Sequence, residues 1–311
     1  MNNMKYLVTG GAGFIGSHLV EKIINFGNEV IIIDDLSSGY KENIPYRPKN
    51  KLMIEKVQNV PLDYIDNIDG IFHLAAQASA PYSIEQFYES SKNNILSSFK
   101  VFEWAKEKNV PVVYASSSAI YGNLPLGDES IKKYDIISPY AQDKLTTEHY
   151  AKMMFDLYNV NSFGLRFFNV YGPKQDPTNP YSGVISIFID KILKEEPVTI
   201  NGGYQTRDFI YIGDIVNVLV KSMAFLHQNQ LCEIFNVGTS ESISIDQLFG
   251  IISETTNTSP KIVRKKLPIG DPEISSGTFN KIKSILNINI QSFIDINAGL
   301  IKTIEYYKQH N

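Results

Sequence analysis

The stretch Tyr6-Leu-Val-Thr-Gly-Gly-Ala-Gly-Phe-Ile-Gly16 decides the fold. Its first residues, Tyr6 to Val8, are typical of the end of a buried strand, and the residues from Phe14 to Phe26 predict a helix. The apolar residues expected on one face of this helix are Ile15, Leu19, Ile23 and Phe26. The glycines therefore stand on a strand-to-helix turn, where a pyrophosphate can approach the backbone and meet the positive end of the helix dipole.

A second predicted strand follows, from Val30 to Ile33, and it ends in Asp34 and Asp35. A carboxylate at this position suits the hydroxyl groups of an adenosine ribose and repels a 2′-phosphate. The strand, the glycine-rich turn, the helix and the acidic strand end together predict a dinucleotide site, with NAD preferred over NADP. The alternative is a plain glycine turn followed by two solvated aspartates.

The composition narrows the class of protein. The chain has 311 residues, of which 43% are apolar and 20% charged, as in ordinary globular proteins. Its net charge of -4 gives no electrostatic footprint for DNA or RNA. Because Cys232 is the only cysteine, no internal disulfide or cysteine-based zinc site is possible, and no metal is predicted. The sequence shows no signal peptide and no apolar run of about 18 residues, so we expect a cytoplasmic protein without a membrane partner.

Strands and helices are predicted to alternate through the first half of the chain. The strands predicted after the acidic strand end are Leu52 to Ile54, Gly70 to Ala76, Val110 to Ala115 and Ser162 to Phe167. Long helices are predicted from Ile84 to Lys108 and from Pro139 to Tyr158, with the proline in the first turn, where it is tolerated. This alternation predicts an α/β fold with a Rossmann-type, doubly wound parallel sheet. His73, within one of these strands, is interpreted as a packed core residue.

The regular alternation of predicted strands and helices stops after Gly172. Further elements are predicted as a helix at 184–194, strands at 198–200 and 209–211, a helix from Asp214, and a C-terminal helix at 294–308. We predict an NAD-binding domain over residues 1–168, to which about 206–230 return. A smaller α/β substrate lobe is predicted over 169–205 and 231–311. Ligands of such sheets bind at the carboxyl ends of the strands, so we expect a cleft there.

Tyr140 and Lys144 carry the predicted chemistry. They stand four residues apart at the start of a predicted helix and therefore lie on one face. A free tyrosine has a pKa of about 10. A nearby lysine and an oxidised nicotinamide both favour its phenolate, which can take a proton from a substrate hydroxyl. Ser117 or Ser118, at the end of the preceding strand, can hydrogen-bond the same oxygen. The alternative is a surface tyrosine, a solvated lysine and an ordinary serine-rich turn.

Six blocks of the sequence resemble, in the same order, those of the extended short-chain dehydrogenases/reductases, within the NAD-dependent sugar-nucleotide epimerase/dehydratase family. The blocks are Thr9-Gly-Gly-Ala-Gly-Phe-Ile-Gly16, His73-Leu-Ala-Ala-Gln77, Ser116-Ser-Ser-Ala-Ile-Tyr-Gly122, Ser138-Pro-Tyr-Ala-Gln-Asp-Lys144, Leu165-Arg-Phe-Phe-Asn-Val-Tyr-Gly-Pro173 and Arg207-Asp-Phe-Ile-Tyr211. The likeness covers almost the whole chain. Within the family it is greatest to UDP-hexose 4-epimerases of the UDP-glucose and UDP-N-acetylglucosamine type, which act in nucleotide-sugar and galactose metabolism.

The resemblance implies a reaction and roles for the matching residues. Tyr140 would be the general base, Lys144 would hold the nicotinamide ribose and tune Tyr140, and Ser117 would assist at the sugar O4. Hydride would leave C4 for NAD⁺, and the resulting 4-keto sugar would turn and take the hydride back on its other face. The implied cofactor-binding residues are Gly10, Gly13, Phe14, Ile15, Gly16, Asp34, Asp35, Ser38, Gly39, Leu74, Ala75, Ala76, Asn94, Tyr140, Lys144 and Phe167.

The implied substrates are UDP-glucose and UDP-galactose, together with their N-acetylated counterparts. The implied substrate-binding residues are Ser79, Ser117, Ser118, Tyr140, Asn169, Val184, Arg207, Asp271 and Ser275. Asn169 and Arg207 would hold the diphosphate, and Asp271 the uridine ribose. Ser275 would border the sugar 2-position, with room for an acetamido group. Each assignment has a structural alternative. Asn169 is then a plain asparagine at a strand end, Arg207 pairs with Asp208, and Asp271 is an ordinary loop aspartate. For Ser275 the alternative is that its loop runs in a different register.

Two departures from the family pattern bear on binding. The stretch Glu55-Lys-Val-Gln-Asn59 lacks the aspartate that usually touches adenine, and Pro268 stands where an arginine usually reaches the diphosphate. Candidate substitutes for that arginine are Arg264, Lys265 and Lys266.

Three further functions stay open beside 4-epimerisation of a UDP-hexose. They are UDP-glucuronate 4-epimerisation, a different reaction of a 4-keto sugar nucleotide such as decarboxylation, and non-catalytic regulation by a protein that only binds NAD. Dehydration is disfavoured, because Ser118-Ala119 stand where dehydratases carry an Asp-Glu pair.

The two long predicted helices carry apolar residues beyond one narrow face. These residues are Phe99, Phe102 and Trp104 on the first helix and Met153, Met154 and Phe155 on the second. In the family these helices pair across a two-fold axis as a four-helix bundle, so the resemblance implies a homodimer. The alternative is that all six residues pack on their own sheet.

Overall fold

The computed structural model describes residues 3–45, 47, 50–179, 182–268 and 271–310. The chain forms two compact units. The first unit consists of Met1–Ser117, Ser138–Arg166 and Val216–Phe235. The second unit consists of Ser118–Ile137, Phe167–Ile215 and Asn236–Asn311.

Strands and helices alternate along the described residues. The strands are β1 (Lys5–Thr9), β2 (Glu29–Asp34), β3 (Lys51–Ile54), β4 (Gly70–His73), β5 (Val112–Ser117), β6 (Ser162–Phe167), β7 (Asn169–Tyr171), β8 (Val198–Asn201), β9 (Thr206–Tyr211), β10 (Cys232–Val237), β11 (Ser242–Ser244), β12 (Ile262–Lys265) and β13 (Ile274–Ser275). The helices are α1 (Phe14–Asn25), α2 (Ala80–Glu85), α3 (Phe87–Lys108), α4 (Pro139–Tyr158), α5 (Val184–Leu193), α6 (Ile212–Leu226), α7 (Ile245–Thr256), α8 (Asn280–Leu286) and α9 (Ile296–His310). None of these described helices combines the length and apolarity needed to cross a membrane.

A seven-stranded parallel sheet, with the order β10-β6-β5-β4-β1-β2-β3, organises the first unit. β1 pairs with β2 on one side, with Thr9 opposite Ile33, and with β4 on the other side, with Thr9 opposite His73. The strand order therefore reverses at β1, and ligands of doubly wound sheets bind at such a reversal. The predicted Rossmann-type sheet is confirmed.

The helix after β1 runs almost as predicted, but its predicted apolar face is wrong at one end. Leu19 and Ile23 are buried against the sheet, whereas Phe26 is 60% exposed. The helix ends at Asn25, and Phe26 is its C-terminal cap residue. Because the chain leaves the helical path there, the Phe26 ring turns outward, where Lys22 Nζ lies 5.1 Å from its centroid.

The core of the first unit includes residues that the sequence offered for a dimer interface. Phe102 and Trp104 are 2% and 0% exposed and Met154 is 9% exposed, all within the apolar cluster against the sheet. That interpretation is therefore wrong for these three residues, because each helix buries a broad face. Phe99 and Met153 are 38% and 40% exposed.

Two predicted elements are shorter or broken. The strand from Gly70 ends at His73, and the two residues that follow stay bonded to Thr9: its carbonyl accepts a hydrogen bond from Leu74 N at 3.1 Å and its Oγ1 accepts one from Ala75 N at 3.3 Å. The helix predicted to start at Ile84 is divided into α2 and α3 at Gln86, whose φ of -124° and ψ of 54° lie outside the helical region.

The second unit is built on small sheets. β9 is the centre of a mixed sheet, antiparallel to β11 and parallel to β13 and β7. β8 and β12 form a separate parallel pair. Helices α5, α7 and α9 supply a second apolar core, in which Phe188, Leu248 and Leu300 are fully buried.

The two units are divided differently from the predicted ranges in three places. Residues 118–137 belong to the second unit, because Gly127 N donates to Ser276 O and Thr278 N donates to Gly127 O, both at 2.8 Å. β9 also belongs to the second unit, whereas most of α6 belongs to the first. Residues 231–235 join the first unit, where Ser162 N donates to Leu231 O at 3.0 Å.

Candidate active site

The glycine-rich turn between β1 and α1 is closely packed by backbone. Gly10 has a φ of +71°, and a Cβ atom there would lie 2.6 Å from Ala75 N. A Cβ atom on Gly16 would lie 2.0 Å from Gly10 O. Gly13 is the N-cap of α1 and supplies no side-chain hydrogen bond to the N–H groups of its first turn. A pyrophosphate fits such a helix end, since the N–H groups of the first turn have no helical acceptor.

Asp34 joins this turn to the end of β2. Its Oδ2 accepts a hydrogen bond from Ala12 N at 2.8 Å and its Oδ1 accepts one from Leu36 N at 2.9 Å. Burial raises the pKa of the Asp34 carboxyl, and the backbone N–H groups partly offset this effect. The carboxylate is thus fixed at the place where an adenosine ribose is expected, and its remaining lone pairs can accept ribose hydroxyls.

The neighbours of Asp34 differ in their exposure. Asp35 is exposed, and its carboxylate accepts hydrogen bonds from Ser37 N and Ser37 Oγ at 3.0 and 2.6 Å. Ser38 is exposed, whereas Gly39 is buried, and a Cβ atom on Gly39 would lie 2.8 Å from Ala12 C. The loop after β2 therefore packs directly on the glycine-rich turn.

Ser117, Tyr140 and Lys144 meet at the end of β5 and the start of α4. Lys144 Nζ donates to Ala115 O at 2.8 Å and lies 5.7 Å from the centroid of the Tyr140 ring. Ser117 hydrogen-bonds the Tyr140 phenol. Ser138 begins the helix by accepting a hydrogen bond from Ala141 N, and Pro139 fills the first turn. The predicted catalytic residues are thus brought together within the first unit.

Burial, as well as nearby charge, affects the protonation of Tyr140 and Lys144. Burial raises the pKa of the Tyr140 phenol, the hydrogen bond from Ser117 partly offsets this, and Asp143 raises it further. Burial also lowers the pKa of Lys144 to about 8, against the opposing charges of Asp143 and Glu148. Burial thus opposes ionisation of the phenol, whereas the positive charges of Lys144 and of an oxidised nicotinamide would favour it.

Asn94 fixes the segment that follows β4. Its Oδ1 accepts a hydrogen bond from Gln77 N at 2.8 Å, and its Nδ2 donates to Asp143 Oδ2 at 3.1 Å. Leu74, Ala75 and Ala76 lie on this segment. The role of Asp143 was not predicted from the sequence, although its position beside Lys144 in the predicted motif was an available signal.

His73 is a buried core residue, as interpreted from the sequence. Its Nδ1 lies 2.8 Å from Thr9 Oγ1 and its Nε2 lies 3.2 Å from Ser98 Oγ, so both ring nitrogens have hydrogen-bonding partners. Burial, and to a lesser degree the charge of Lys144, lowers its pKa to about 3. The imidazole is therefore neutral at physiological pH.

A cavity of about 240 Å³ in the second unit brings together four of the predicted substrate-binding residues. Its lining residues are Asn169, Ser182, Val184, Phe188, Thr199, Asn201, Gln205, Arg207, Ile245 and Asp271. Six of these were not predicted from the sequence, and no local motif marks them, because they come from separate elements. The lining offers amide and hydroxyl groups, one arginine, one carboxylate and an aromatic ring.

Arg207 and Asp271 form an ion pair in this cavity. Arg207 Nη1 also donates to Thr206 O at 2.7 Å. The alternative pairing of Arg207 with Asp208 is wrong, because the Asp208 carboxylate accepts hydrogen bonds from Thr239 N and Ser240 N instead. Burial raises the pKa of Asp208 to about 6, and these N–H groups partly offset the effect.

The remaining predicted binding residues occupy separate positions. Ser79 is the N-cap of α2, where its Oγ accepts a hydrogen bond from Tyr82 N at 3.1 Å. Phe167, at the end of β6, is buried. Ser118 is the first residue of the second unit, and Ser275 lies opposite Arg207 in the pairing of β13 with β9.

The candidate substitutes for the missing diphosphate-binding arginine lie on or beside β12. Arg264 Nη1 lies 3.0 Å from Asp246 Oδ1, so its charge is already paired, while Lys265 and Lys266 are exposed. Pro268 is exposed. Gly270, which precedes Asp271 in the predicted Gly-Asp pair, lies outside the described residues.

A profile of the NAD dependent epimerase/dehydratase family matches residues 6–238. The chain belongs to this family. The resemblance predicted from the sequence blocks is therefore confirmed. As a member of this NAD-dependent sugar-nucleotide epimerase/dehydratase family, the protein uses NAD, and solved relatives contain it. The glycine-rich turn, Asp34 and the Tyr140–Lys144 pair fit this cofactor.

Three solved members of the family show how similar the fold is. The UDP-N-acetylglucosamine 4-epimerase from Methanobrevibacter ruminantium, in complex with UDP-N-acetylmuramic acid, is 33% identical over 100% of both chains, with a TM-score of 0.93. The UDP-glucose 4-epimerase from Thermotoga maritima, with UDP-glucose, is 33% identical over 99% of both chains, with a TM-score of 0.90. The UDP-glucuronic acid 4-epimerase from Bacillus cereus, with UDP-glucuronic acid and NAD, is 28% identical over 99% of this chain and 100% of its own, with a TM-score of 0.90. Further relatives are UDP-glucuronic acid decarboxylases, so family membership alone does not define the reaction.

Proposed function

We propose that this protein is an NAD-dependent UDP-hexose 4-epimerase. Its proposed substrates are UDP-glucose and UDP-galactose, together with UDP-N-acetylglucosamine and UDP-N-acetylgalactosamine. The observation that carries the proposal is the group formed by Ser117, Tyr140 and Lys144 in the unit that holds the glycine-rich turn. A protein that only binds NAD has no need of a half-buried phenol beside a buried lysine.

In this reaction Tyr140 takes the proton from the 4-hydroxyl group of the sugar. Burial raises the pKa of this phenol, and the positive charge of an oxidised nicotinamide would lower it, so the bound cofactor would favour formation of the general base. Ser117 shares the hydrogen bond to the reacting oxygen, and Lys144 holds the nicotinamide ribose. NAD, when bound, would supply the acceptor for the hydride of C4 and the donor that restores it, so that the sugar would pass through a 4-keto form. Once the 4-keto sugar has turned so that C4 regains its hydrogen on the opposite face, Tyr140 returns the proton to O4.

The second unit is proposed to hold the nucleotide while the sugar turns. Arg207 and Asn169 bind the diphosphate, Asp271 the uridine ribose, and Val184 the base. Their common cavity supports this division of roles. Because only the sugar has to present both faces, a firmly held nucleotide and a loosely held hexose are what the reaction requires.

The test is incubation with a panel of UDP-sugars followed by chromatographic separation of the products. The panel contains UDP-glucose, UDP-N-acetylglucosamine and UDP-glucuronate. Conversion of the first two to their 4-epimers is expected. Turnover of UDP-glucuronate alone would replace the proposal by glucuronate epimerisation, and release of carbon dioxide from it would replace the proposal by decarboxylation.

We also propose that the protein is a homodimer. Helices α3 and α4 expose apolar residues, although fewer than the sequence suggested. These residues are Phe87, Tyr88, Leu96, Phe99, Met153, Leu157 and Tyr158. The Phe99 and Tyr150 rings, one from each helix, lie with centroids 4.5 Å apart and form one aromatic ridge. Such a surface is suited to bury against a second copy of itself.

A further inference from the structure

A buried charge network lies beneath the proposed catalytic group. Arg166 donates to Glu148 twice, from Nε to Oε1 at 2.8 Å and from Nη2 to Oε2 at 2.6 Å. Ser116 Oγ also donates to Glu148 Oε1, at 2.5 Å. Arg166 is 2% exposed, Glu148 6% and Ser116 3%, so all three side chains are removed from solvent. The network joins helix α4 to strands β5 and β6.

This network is poorly explained as a device for stability. A buried ion pair has to repay the desolvation of both charges, and a nonpolar pair of similar volume often stabilises a fold as well or better. What distinguishes this pair is its third partner. Ser116 stands between Ala115, whose carbonyl accepts the hydrogen bond from Lys144 Nζ, and Ser117, which hydrogen-bonds Tyr140. The Glu148 carboxylate therefore holds Ser116, the residue between the carbonyl that binds Lys144 and the hydroxyl that binds Tyr140.

We propose that Glu148 is a positioning residue for the reaction, acting through Ser116 to fix the end of β5 against Lys144 and Tyr140. The inference rests on the proposed function, because it assumes that Tyr140 and Lys144 perform the chemistry. Glu148 itself is assigned no contact with the reacting groups. Its role is to hold the backbone carbonyl of Ala115 and the hydroxyl of Ser117 at a constant distance from the helix that carries the base.

The same carboxylate acts on the charge of Lys144. The groups that face Lys144 are Asp143 and Glu148 on α4, Tyr140 on the preceding turn, and the neutral His73 on β4. Asp143 and Glu148 both oppose the effect of burial on the Lys144 pKa. Neutralising Glu148 should therefore let Lys144 lose its proton at a lower pH, and the alkaline limb of kcat should move in the same direction.

The experiment compares Ser116→Ala, Glu148→Gln and the double variant in the NAD-loaded enzyme, with the UDP-hexose that the wild type turns over. Ser162→Ala is the matched serine control, since Ser162 is buried at the start of the neighbouring strand β6 and its Oγ lies 3.4 Å from Cys232 Sγ. Asp214→Asn is the carboxylate control, because Asp214 is buried and its Oδ2 accepts a hydrogen bond from Ile294 N at 2.9 Å. The readouts are kcat, KM, their pH profiles and the NAD content.

Ser116→Ala and Glu148→Gln are each expected to lower kcat by about 10- to 100-fold, the loss typical of a small displacement of catalytic groups, with little change in KM. The double variant should lose no more than the more damaged single variant, because both act through one contact. The alkaline limb should move to lower pH in Glu148→Gln and stay unchanged in both controls.

Two results would overturn the inference: a kcat of Ser116→Ala equal to that of Ser162→Ala, or losses that multiply in the double variant. If Glu148→Gln fails to fold, because it removes the carboxylate that pairs with Arg166, Ser116→Ala decides alone, since it keeps the ion pair. Tyr140→Phe is included in the series. A Tyr140→Phe enzyme with wild-type turnover would contradict the proposed function itself, a result distinct from any obtained with Ser116 or Glu148.

Discussion

The guanidinium of Arg207 and the carboxylate of Asp271 form an ion pair within the cavity of the second unit. The side chain of Arg207 is 9% exposed, whereas that of Asp271 is 40% exposed. The family resemblance implied that Arg207 binds the diphosphate of the nucleotide and that Asp271 binds its uridine ribose. A nucleotide bound in that way would compete with the ion pair for both partners.

Asp271→Asn is expected to reduce the preference for UDP over 2′-deoxy-UDP. The wild-type carboxylate should accept a hydrogen bond from the ribose 2′-hydroxyl, and a hydrogen bond to a charged group contributes about 1.5–3 kcal/mol. Isothermal titration should therefore show a preference of about tenfold or more in the wild type and little in the variant. Asp246→Asn, which removes the surface partner of Arg264, is the control. A variant that keeps the full preference would show that Asp271 does not bind the ribose.

Tyr140→Phe is expected to lower kcat by about 10²–10⁴-fold, the usual loss on removal of a general base. The ring that packs at the site is kept, so circular dichroism and NAD content should not change. Near-normal turnover in a folded, loaded variant would rule out Tyr140 as the base.

The pH dependence of the same tyrosine gives a second check. Burial raises its pKa, so without NAD⁺ the phenol should stay protonated beyond the ordinary range, and NAD⁺ should lower the pKa through its positive charge. Ultraviolet difference spectra should show the phenolate appearing at lower pH in the NAD⁺ form, with this signal missing in Tyr140→Phe. An identical titration with and without NAD⁺ would contradict this coupling.

Purified protein is expected to carry NAD(H) and to be reconstituted better by NAD⁺ than by NADP⁺. The Asp34 carboxylate is fixed by Ala12 N and Leu36 N, and it would face a 2′-phosphate with like charge. Denatured extracts analysed by chromatography identify the nucleotide. Asp34→Asn should reduce the preference for NAD⁺ over NADP⁺. The same change also weakens the hydrogen bonds from Ala12 N and Leu36 N, which hold the loop after β2. Recovery of NADP(H) from the wild type would contradict the prediction.

Ser275→Tyr is expected to abolish activity on UDP-N-acetylglucosamine and to spare activity on UDP-glucose. A tyrosine ring would fill the space that serine leaves for an acetamido group, and overpacking costs about 1–3 kcal/mol. Ser276→Tyr, at the next position, is the control for bulk alone. The pocket assignment is wrong if the wild type turns over only the plain hexoses, or if Ser275→Tyr keeps its N-acetyl activity.

Phe99→Glu is expected to convert a dimer into a monomer. Phe99 is 38% exposed on the ridge it forms with Tyr150, and a buried unpaired carboxylate at an interface is strongly unfavourable. Multi-angle light scattering at micromolar concentration gives the mass. Phe26→Glu is the control, since Phe26 is an exposed aromatic residue just beyond the end of α1. A monomeric wild type would contradict the proposed assembly.

The sequence predicted the elements whose signals are local. The glycine-rich turn, the strand from Ser162 to Phe167 and the helix from Pro139 to Tyr158 lie where the pattern placed them. Errors arose at the ends of elements, where the hydrophobic pattern gives no sharp signal. Phe26 is exposed beyond a helix that ends one residue earlier than predicted, and the strand from Gly70 ends at His73 rather than at Ala76.

The sequence by itself therefore determined the parallel sheet, the glycine-rich turn, the family and the spacing of Tyr140 and Lys144. Only the tertiary structure decided which polar groups meet. Arg207 pairs with a carboxylate 64 residues away rather than with its neighbour, and Arg166 binds Glu148 across 18 residues. The reason is physical: hydrophobic periodicity records which face of an element is buried, whereas the partner of a buried charge is chosen by proximity in the folded chain.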